Sequence, residues 1–484
     1  MTDPDHRRIV GDTRRDARKV WHTPQPRPLG TAGRFLLCLA VAVLLAVLAR
    51  SMAGLEAAPA RMLFILVLAA ELWLFEVVPA YSVSVLVIAL QILLLGNPES
   101  GIFAESPEDW QTFVVVLGHP LIWLFFGGFV LAAAIGRTGL DLSLTRRLLQ
   151  VFGVSPPRLL FGVMAGSLFF SMIMSNTATT AMMLALTAPM VASLSADSRY
   201  ARALLLGVPF AANVGGMATL IGSPPNAIAA GALTAVPGEA IGFLTWMVYG
   251  LPPAVILFGL LWLYLYLRYP LGESERLELA APVGAAEAAP PRWQRQVTIG
   301  TLGATLLLWM TGEWTRLPTA VVSFLPITVL TATGILRDRD VRQLPWDILL
   351  LLAGGLALGN GVRDTGLADW LVAGLPLEQA GELGVVFLLC YATLILSNLM
   401  SNTAAANILV PIAVVMASGY ESFAVVPLAL CASCAMCLPI STPPNALAFS
   451  SGRLAVSDFM SGGLLVGALA PPIVVGWLAL LGVR

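Results

Sequence analysis

The sequence is poor in charge. Only 11% of its 484 residues are Asp, Glu, Lys or Arg, against roughly 25% in an average soluble protein. The single lysine is Lys19, and the net charge of −1 offers no basic field for nucleic acid. Hydrophobic residues make up 58% of the chain, and residues 35–49, 240–267 and 459–483 carry no charge at all. A membrane helix needs about 20 such residues, so the composition predicts an all-α polytopic membrane protein.

Cysteine is also scarce, and its five copies form no disulfide framework. Cys431, Cys434 and Cys437 form a C-x-x-C-x-x-C run, which has the spacing of a metal or cluster site. The run lies inside an uncharged membrane stretch with no fourth ligand nearby. We therefore interpret these small residues as positions of close helix packing.

The uncharged stretches predict eleven membrane spans. The Arg- and Pro-rich residues 1–33 have no short apolar segment with a cleavage site after them, and we expect a disordered cytoplasmic tail rather than a cleaved signal. The predicted spans are 34–50, 61–78, 80–96, 112–136, 203–236, 240–268, 297–312, 318–336, 346–362, 422–452 and 459–482.

A polar phrase is written twice in these apolar surroundings. Met174–Ala178 (MSNTA) recurs as Met400–Ala404, and each copy lies near the middle of 38 uncharged residues. Each is followed by a second repeated phrase, Ser223–Ala227 (SPPNA) and Thr442–Ala446 (TPPNA). Polar residues inside a membrane are costly unless they line a cavity or bind something, so the repetition indicates a binding site.

Two interpretations exist for the uncharged stretches 159–196 and 383–420. Each is either a pair of full spans with the Ser-Asn-Thr phrase at the far surface, or a re-entrant helical hairpin whose tip stops mid-membrane. No Trp, Tyr or Lys anchor flanks either phrase, although surface turns usually have one. We therefore favour the hairpins.

The distribution of basic residues predicts the orientation. With the N-terminus in the cytoplasm, 22 of the 27 Lys and Arg residues lie inside, as the positive-inside rule requires. The first hairpin then enters from the cytoplasm after Arg158 and the second from outside after Glu382. Such inverted repeats are the architecture of secondary transporters.

The two Pro-Pro pairs, at Pro224 and Pro443, are expected to unwind their helices. Each proline removes a backbone donor and clashes with the preceding turn. The freed carbonyls, for example those of Gly222 and Ser441, can face a cation, and the helix beyond offers its N–H groups to an anion. A simple membrane kink is the alternative interpretation, and the matched second copy disfavours it.

The Ser-Asn-Thr phrases supply the groups that would bind such ions. An Asn carbonyl can coordinate Na⁺ while its amide donates to a carboxylate, so two facing tips can hold both ends of a small dianion. Interhelical hydrogen bonding is the plainer alternative. Because neither hairpin contains Lys or Arg, balancing charge must come from helix N-termini and bound cations. Ser171 and Ser397, five residues before each Asn, can complete two cation shells.

With these motifs, the chain from about residue 34 to its end resembles the divalent anion/sodium symporter family, which carries dicarboxylates, citrate or sulfate. Gly215–Thr219 (GGMAT), before the first Pro-Pro pair, also resembles the family. The resemblance implies eleven transmembrane helices plus two re-entrant hairpins, assembled as a homodimer in which a transport part slides as an elevator. Ser223 and Ser441 depart slightly from the usual pattern, where Thr and a small apolar residue are common.

The resemblance also implies a division of the chain and a set of site residues. The expected parts are the tail 1–33, scaffold helices 34–150 and 297–378, a connecting helix and loop 237–296, and the transport parts 151–236 and 379–484. Expected substrate contacts are Ser175, Asn176, Thr177, Ser401, Asn402, Thr403 and Pro443. Expected sodium ligands are Ser171, Ser175, Asn176 and Gly222 at one site and Ser397, Met400, Asn402 and Ser441 at the other.

The sequence thus predicts a sodium-coupled importer of C4 dicarboxylates such as succinate, malate or fumarate in a bacterial inner membrane. Sodium ions are the only cofactor expected, and the lipid bilayer and a second copy of the chain are the only other partners. A sulfate or citrate carrier and a sodium-independent exchanger remain alternatives. A dicarboxylate receptor is a further alternative, although neither residues 1–34 nor 269–296 are long enough for a signalling domain. No hydrolase dyad or metal cluster supports an enzyme.

Overall fold

A computed structural model describes residues 30–96, 107–153, 155–270, 291–373 and 380–483. The predicted tail 1–33, apart from residues 30–33, and most of the loop 269–296 lie outside these residues. The described residues form helices and no strands. In the first half the helices are α1 Thr31–Met52, α2 Ala57–Leu74, α3 Ala80–Leu95, α4 Pro107–Val114, α5 Pro120–Arg137, α6 Leu140–Phe152, α7 Pro156–Ser171, α8 Asn176–Ser193, α9 Arg199–Gly215, α10 Pro224–Thr234 and α11 Phe243–Arg268.

The second half repeats this plan after the connecting helix α11. Its helices are α12 Arg292–Met310, α13 Gly312–Thr315, α14 Thr319–Val322, α15 Phe324–Ala332, α16 Asp338–Arg342, α17 Trp346–Asp364, α18 Leu367–Ala373, α19 Gly381–Leu399, α20 Asn402–Met416, α21 Glu421–Ala432, α22 Pro443–Phe449 and α23 Val456–Leu480. The all-α class predicted from composition is therefore confirmed.

Six stretches of helix in the described part of the chain are long and apolar enough to cross a membrane. Shorter apolar helices supplement them, among them α3, the pair α14 and α15, α20 and α21. The protein is thus a multi-pass membrane protein, but length alone does not yield eleven spans. The predicted span 318–336 is interrupted at Ser323, and the predicted spans 203–236 and 422–452 are each divided in two.

Each Ser-Asn-Thr phrase lies at the turn of a helical hairpin. In the first hairpin, α7 has 16 residues, so it is about 24 Å long, shorter than a hydrocarbon core of about 30 Å. In the second, α19 is long enough to span, whereas α20 has 15 residues. Ser175 and Ser401 cap the second helix of each hairpin, and each hydroxyl accepts the N–H three residues on at 3.2 Å.

The two Pro-Pro pairs begin new helices. Chain 216–223 separates α9 from α10, and chain 433–442 separates α21 from α22. In both cases the pair occupies the first turn of the following helix, where the missing proline N–H leaves no bond unmade. The predicted unwinding is therefore present at both positions.

An asparagine after each Pro-Pro pair ties the unwound chain to the new helix. Asn226 Nδ2 donates to Gly216 O at 2.8 Å and to Thr219 O at 2.7 Å. Asn445 Nδ2 donates to Met436 O at 3.1 Å and to Leu438 O at 3.0 Å. Both asparagines are fully buried. A buried carbonyl without a donor is costly, so these two side chains make the breaks tolerable away from water.

The two repeats cross over at their centre. Helix α10 of the first repeat packs against α20 of the second hairpin, and α22 packs against α8 of the first. Hydrogen bonds join the breaks themselves. Asn213 Nδ2 donates to Thr442 Oγ1 at 3.2 Å, and Ser433 Oγ donates to Ser223 Oγ at 3.1 Å. Hairpins and broken helices of both repeats therefore form one continuous core.

A Gly-Gly pair occurs in both repeats, at Gly127–Gly128 and, 227 residues later, at Gly354–Gly355. A Cβ on Gly127 in α5 would lie 2.7 Å from Ser323 Cβ, and one on Gly354 in α17 would collide with Ser84 Cβ. Glycine thus permits equivalent close helix crossings against a serine in both repeats.

We predict that the amide donors of Asn226 and Asn445 stabilise the fold. Asn226→Asp or Asn445→Asp replaces a donor by an acceptor facing two carbonyls, at a cost of about 1–3 kcal/mol for each unpaired group. The thermal midpoint of the purified protein in detergent should fall by several degrees. The same change at an exposed site on α12, Gln296→Glu, is the control. Equal midpoints for all three variants would contradict the role assigned to these side chains.

Candidate functional site

The tip of the first hairpin meets the first break through Asn176. The terminal amide atom assigned as Oδ1 lies 2.6 Å from Ser171 Oγ, 3.2 Å from Gly222 O and 3.3 Å from Ala212 O. Ser171 is fully buried, and Gly222 lies in the unwound chain. Three of the four predicted ligands of the first sodium site are therefore brought together by the fold.

The chemistry of this cluster depends on which amide atom of Asn176 faces it. With the nitrogen inward, Asn176 donates to Ala212 O, Gly222 O and Ser171 Oγ. With the oxygen inward, Asn176 and the two carbonyls form a group of acceptors that repel one another unless a cation lies among them. Neutral oxygens from unwound backbone and side chains are the usual ligands of Na⁺ in transporters, so these residues fit such an ion.

The fourth predicted ligand of this site has another function as well. Ser175 Oγ accepts the N–H of Ala178 at 3.2 Å and so caps α8. By capping α8, Ser175 fixes the start of the helix whose first residue is Asn176. Glycine at position 216 leaves room for the Asn176 amide in this position, because a Cβ would lie 2.6 Å from Asn176 Oδ1.

The second tip reproduces part of this arrangement. Ser397 Oγ donates to Asn402 Oδ1 at 2.7 Å and also lies 3.1 Å from Ala432 O, the last residue of α21. The Ser-x₄-Asn pairing predicted for both hairpins is thus present in both. Within the described ranges, no hydrogen bond links Met400 or Ser441 to Asn402. Ser441 Oγ instead donates to Leu438 O at 2.8 Å inside the break.

The tips also present free backbone donors. Helices α8 and α20 begin at Asn176 and Asn402. In the part of the chain that the structure describes, the N–H groups of these residues and of Thr177 and Thr403 have no acceptor. First-turn N–H groups carry the positive end of the helix dipole, so each tip is suited to a carboxylate or another anion.

Several of the predicted substrate-binding residues are exposed on the protein surface. Thr177, Ser401 and Pro443 are exposed, whereas Thr403 is buried. A cavity of about 330 Å³ reaches the first tip and is lined there by Met174, Ser175 and Ala178. Its volume lies within the range of small-molecule sites, ~300–1,000 Å³.

Sequence reasoning missed three contributors to the site. The carbonyls of Ala212 and Ala432 carry no side-chain signal, and only the fold brings the first to Asn176 and the second to Ser397. Asn213 is different, because it is a buried amide within the apolar run of α9. A polar residue in such a run is itself a signal of function. Its Nδ2 also donates to Asn445 Oδ1 at 3.3 Å, and its own Oδ1 has no partner in the described chain.

Comparison with known proteins identifies the family of the chain. Residues 70–435 match the citrate transporter family, CitMHS. The chain is 30% identical over 396 residues to a sodium-dependent dicarboxylate transporter, SdcS, of Staphylococcus saprophyticus, covering 74% of this chain and 76% of that protein. The SdcS proteins of Staphylococcus aureus are 28–29% identical over 392 residues, covering 74% of this chain and 75% of theirs.

A solved structure supports the fold alone. The YdaH transporter of Alcanivorax borkumensis superposes with a TM-score of 0.51 at 15% identity, covering 83% of this chain and 97% of that one. With the family match and the relatives, the repeated motifs identify a transporter rather than an enzyme. The chain belongs to the citrate transporter family and, with it, to the divalent anion/sodium symporters.

Proposed function

We propose that this protein is a sodium-coupled symporter of C4 dicarboxylates such as succinate, malate or fumarate. The observation that carries the proposal is the duplicated tip. Each tip combines a buried Ser–Asn pair beside broken-helix carbonyls with free N–H groups at the start of a helix. A cation and a carboxylate can therefore be bound side by side, twice, in one core.

The charge balance favours sodium coupling over exchange. Two helix N-termini supply roughly half a positive charge each, which leaves a dianion only partly neutralised. Residues 159–196 and 383–420 of the hairpins contain no lysine or arginine, and neither does either break. Bound sodium ions would supply the remaining positive charge, one at Ser171, Asn176 and Gly222 and one at Ser397 and Asn402. Substrate carboxylates would then lie on Asn176, Thr177, Asn402 and Thr403, with Ser175, Ser401 and Pro443 beside them.

Dicarboxylates are preferred as substrate because the relatives described above are named for them. The family description names citrate, so a citrate or sulfate carrier is the second candidate. A sodium-independent exchanger is the third, and in it the oxygens around Asn176 would only accept hydrogen bonds from the Asn176 amide.

We further propose an elevator mechanism. The transport parts 151–236 and 379–484 would move together past the scaffold parts 34–150 and 297–378. Hydrogen bonds between the two transport parts support their movement as one body. Arg453, in the loop after α22, donates to Val191 O at the end of α8 at 2.9 Å, in addition to the Asn213 bond described above.

The membrane arrangement completes the proposal. The protein would lie in the inner membrane as a homodimer, with its N-terminus in the cytoplasm and its C-terminus outside. The 22-to-5 distribution of basic residues supports this orientation.

Uptake by proteoliposomes tests the substrate and the coupling. Radiolabelled succinate should accumulate only with an inward sodium gradient, and replacement of sodium by choline should remove at least nine-tenths of the rate. Unlabelled malate and fumarate should compete, and sulfate and citrate should not. Equal rates in choline would identify an exchanger, and competition by sulfate or citrate alone would identify the second candidate.

The two asparagines of the tips should be indispensable. Asn176→Ala and Asn402→Ala each remove a cation ligand and a carboxylate donor, so sodium-driven uptake should fall by at least tenfold. Both variants should elute as folded protein in size-exclusion chromatography. Gln296→Ala, an exposed amide on α12, is the control. Normal transport in both tip variants would remove these residues from the site.

Gly216 offers a finer test of the first sodium site. The Cβ of Gly216→Ala would push against Asn176 Oδ1, and displaced ligands typically cost 10- to 100-fold in metal affinity. We expect the sodium concentration for half-maximal uptake to rise roughly tenfold. Gly259→Ala, in open space on α11, is the matched control. An unchanged sodium dependence in Gly216→Ala would place the ion elsewhere.

A further inference from the structure

One side-chain cation lies in the cavity that reaches the first tip. Besides Met174, Ser175 and Ala178, the cavity is lined by Arg137 at the end of α5 and by Asp340 and Gln343. Its other lining residues are apolar or glycine. Arg137 lies on the arginine-rich side of the protein, which the distribution of charge assigns to the cytoplasm.

Arg137 is only weakly compensated by its neighbours. Its Nε lies 4.0 Å from Asp340 Oδ2, the limit of an ion pair. Asp340 has nearer partners, because Oδ2 accepts the backbone N–H of Arg337 at 2.9 Å and Oδ1 lies 3.7 Å from Arg339 Nε. The Arg137 side chain is 38% exposed. A carboxylate arriving in the cavity would therefore find a guanidinium with most of its donors free.

The equivalent position of the second repeat carries an acid instead of a cation. The echo between the repeats pairs Arg137 with Asp364, 227 residues later in the chain. The neighbouring Arg363 is neutralised by that residue, since Arg363 Nε lies 3.1 Å from Asp364 Oδ1. Inverted repeats therefore build similar backbone positions on both sides but give them different charge.

We propose that Arg137 forms a second, transient binding position for the dianionic substrate, between the first tip and the cytoplasm. One carboxylate of the substrate binds the Arg137 guanidinium while the other points along the cavity towards the first tip, at Met174, Ser175 and Ala178. Asp340 competes with the substrate for Arg137 and limits how long it stays. This inference rests on the proposed function, because it requires a dianionic substrate.

Transport measured separately from the two faces tests the proposal. Succinate uptake into inside-out vesicles samples the Arg137 face, and uptake into right-side-out vesicles samples the other. Arg137→Gln should raise the half-saturating succinate concentration roughly 3- to 10-fold on the Arg137 face alone. The increase should shrink as ionic strength rises at constant sodium, because salt screens the lost attraction. Asp340→Asn, which keeps the acceptor for the Arg337 N–H, should lower the same concentration.

Two further variants separate a binding role from a structural one. Arg342→Gln removes an exposed charge from α16, the short helix that carries Asp340. Arg342 does not line the cavity, so this variant should behave as wild type. Arg137→Lys keeps the charge and should recover most of the affinity even where Arg137→Gln is inactive. No change in Arg137→Gln, an equal change on both faces, or a lysine variant no better than glutamine would each overturn the proposal. Absence of sodium-driven succinate transport in the wild type would instead overturn the proposed function.

Discussion

Peptide groups in the two unwound segments need hydrogen-bond partners inside the protein, because lipid offers none. That constraint explains why the same residue type recurs at each critical position. Asn226 and Asn445 each supply two donors to carbonyls that a continuous helix would have satisfied. A carboxylate has no donor and a lysine has no acceptor, whereas an amide has both and no charge. The breaks can therefore be buried without a buried ion.

The neutrality of the core determines how it can handle an anion. A fixed guanidinium within the breaks would bind a dianion in every state of the protein, and it would be costly when the anion is absent. Helix dipoles are weaker and leave part of the charge uncompensated. Under the proposed function, binding of the anion then depends on mobile cations. Arg137, a fixed arginine that lines the cavity at the first tip, lies outside the breaks.

Much of this arrangement could be predicted from the sequence because it is local. The Ser-x₄-Asn spacing places Ser171 beside Asn176 and Ser397 beside Asn402 with no tertiary information, and Pro-Pro fixes where each new helix begins. The crossing of the repeats could not be predicted, since the bond from Asn213 to Thr442 joins residues 229 positions apart. The number of membrane spans could not be read from helix length, and the reason is physical. Helices interrupted at Ser323 or at the breaks lack the length on which such counting depends.

The two repeats share a backbone plan but differ in side chains, and this difference has a chemical consequence. Three oxygens surround the inner amide atom of Asn176, whereas in the described chain a single hydrogen-bonding oxygen, Ser397 Oγ, lies at Asn402 Oδ1. The donors of the two hydrogen bonds between the repeats also differ. The first repeat donates from an amide, Asn213, and the second donates from a hydroxyl, Ser433. Two sodium ions bound at these tips would therefore have different coordination shells and different affinities. Unequal affinities impose an order of binding and release. Two identical ion sites would impose no such order.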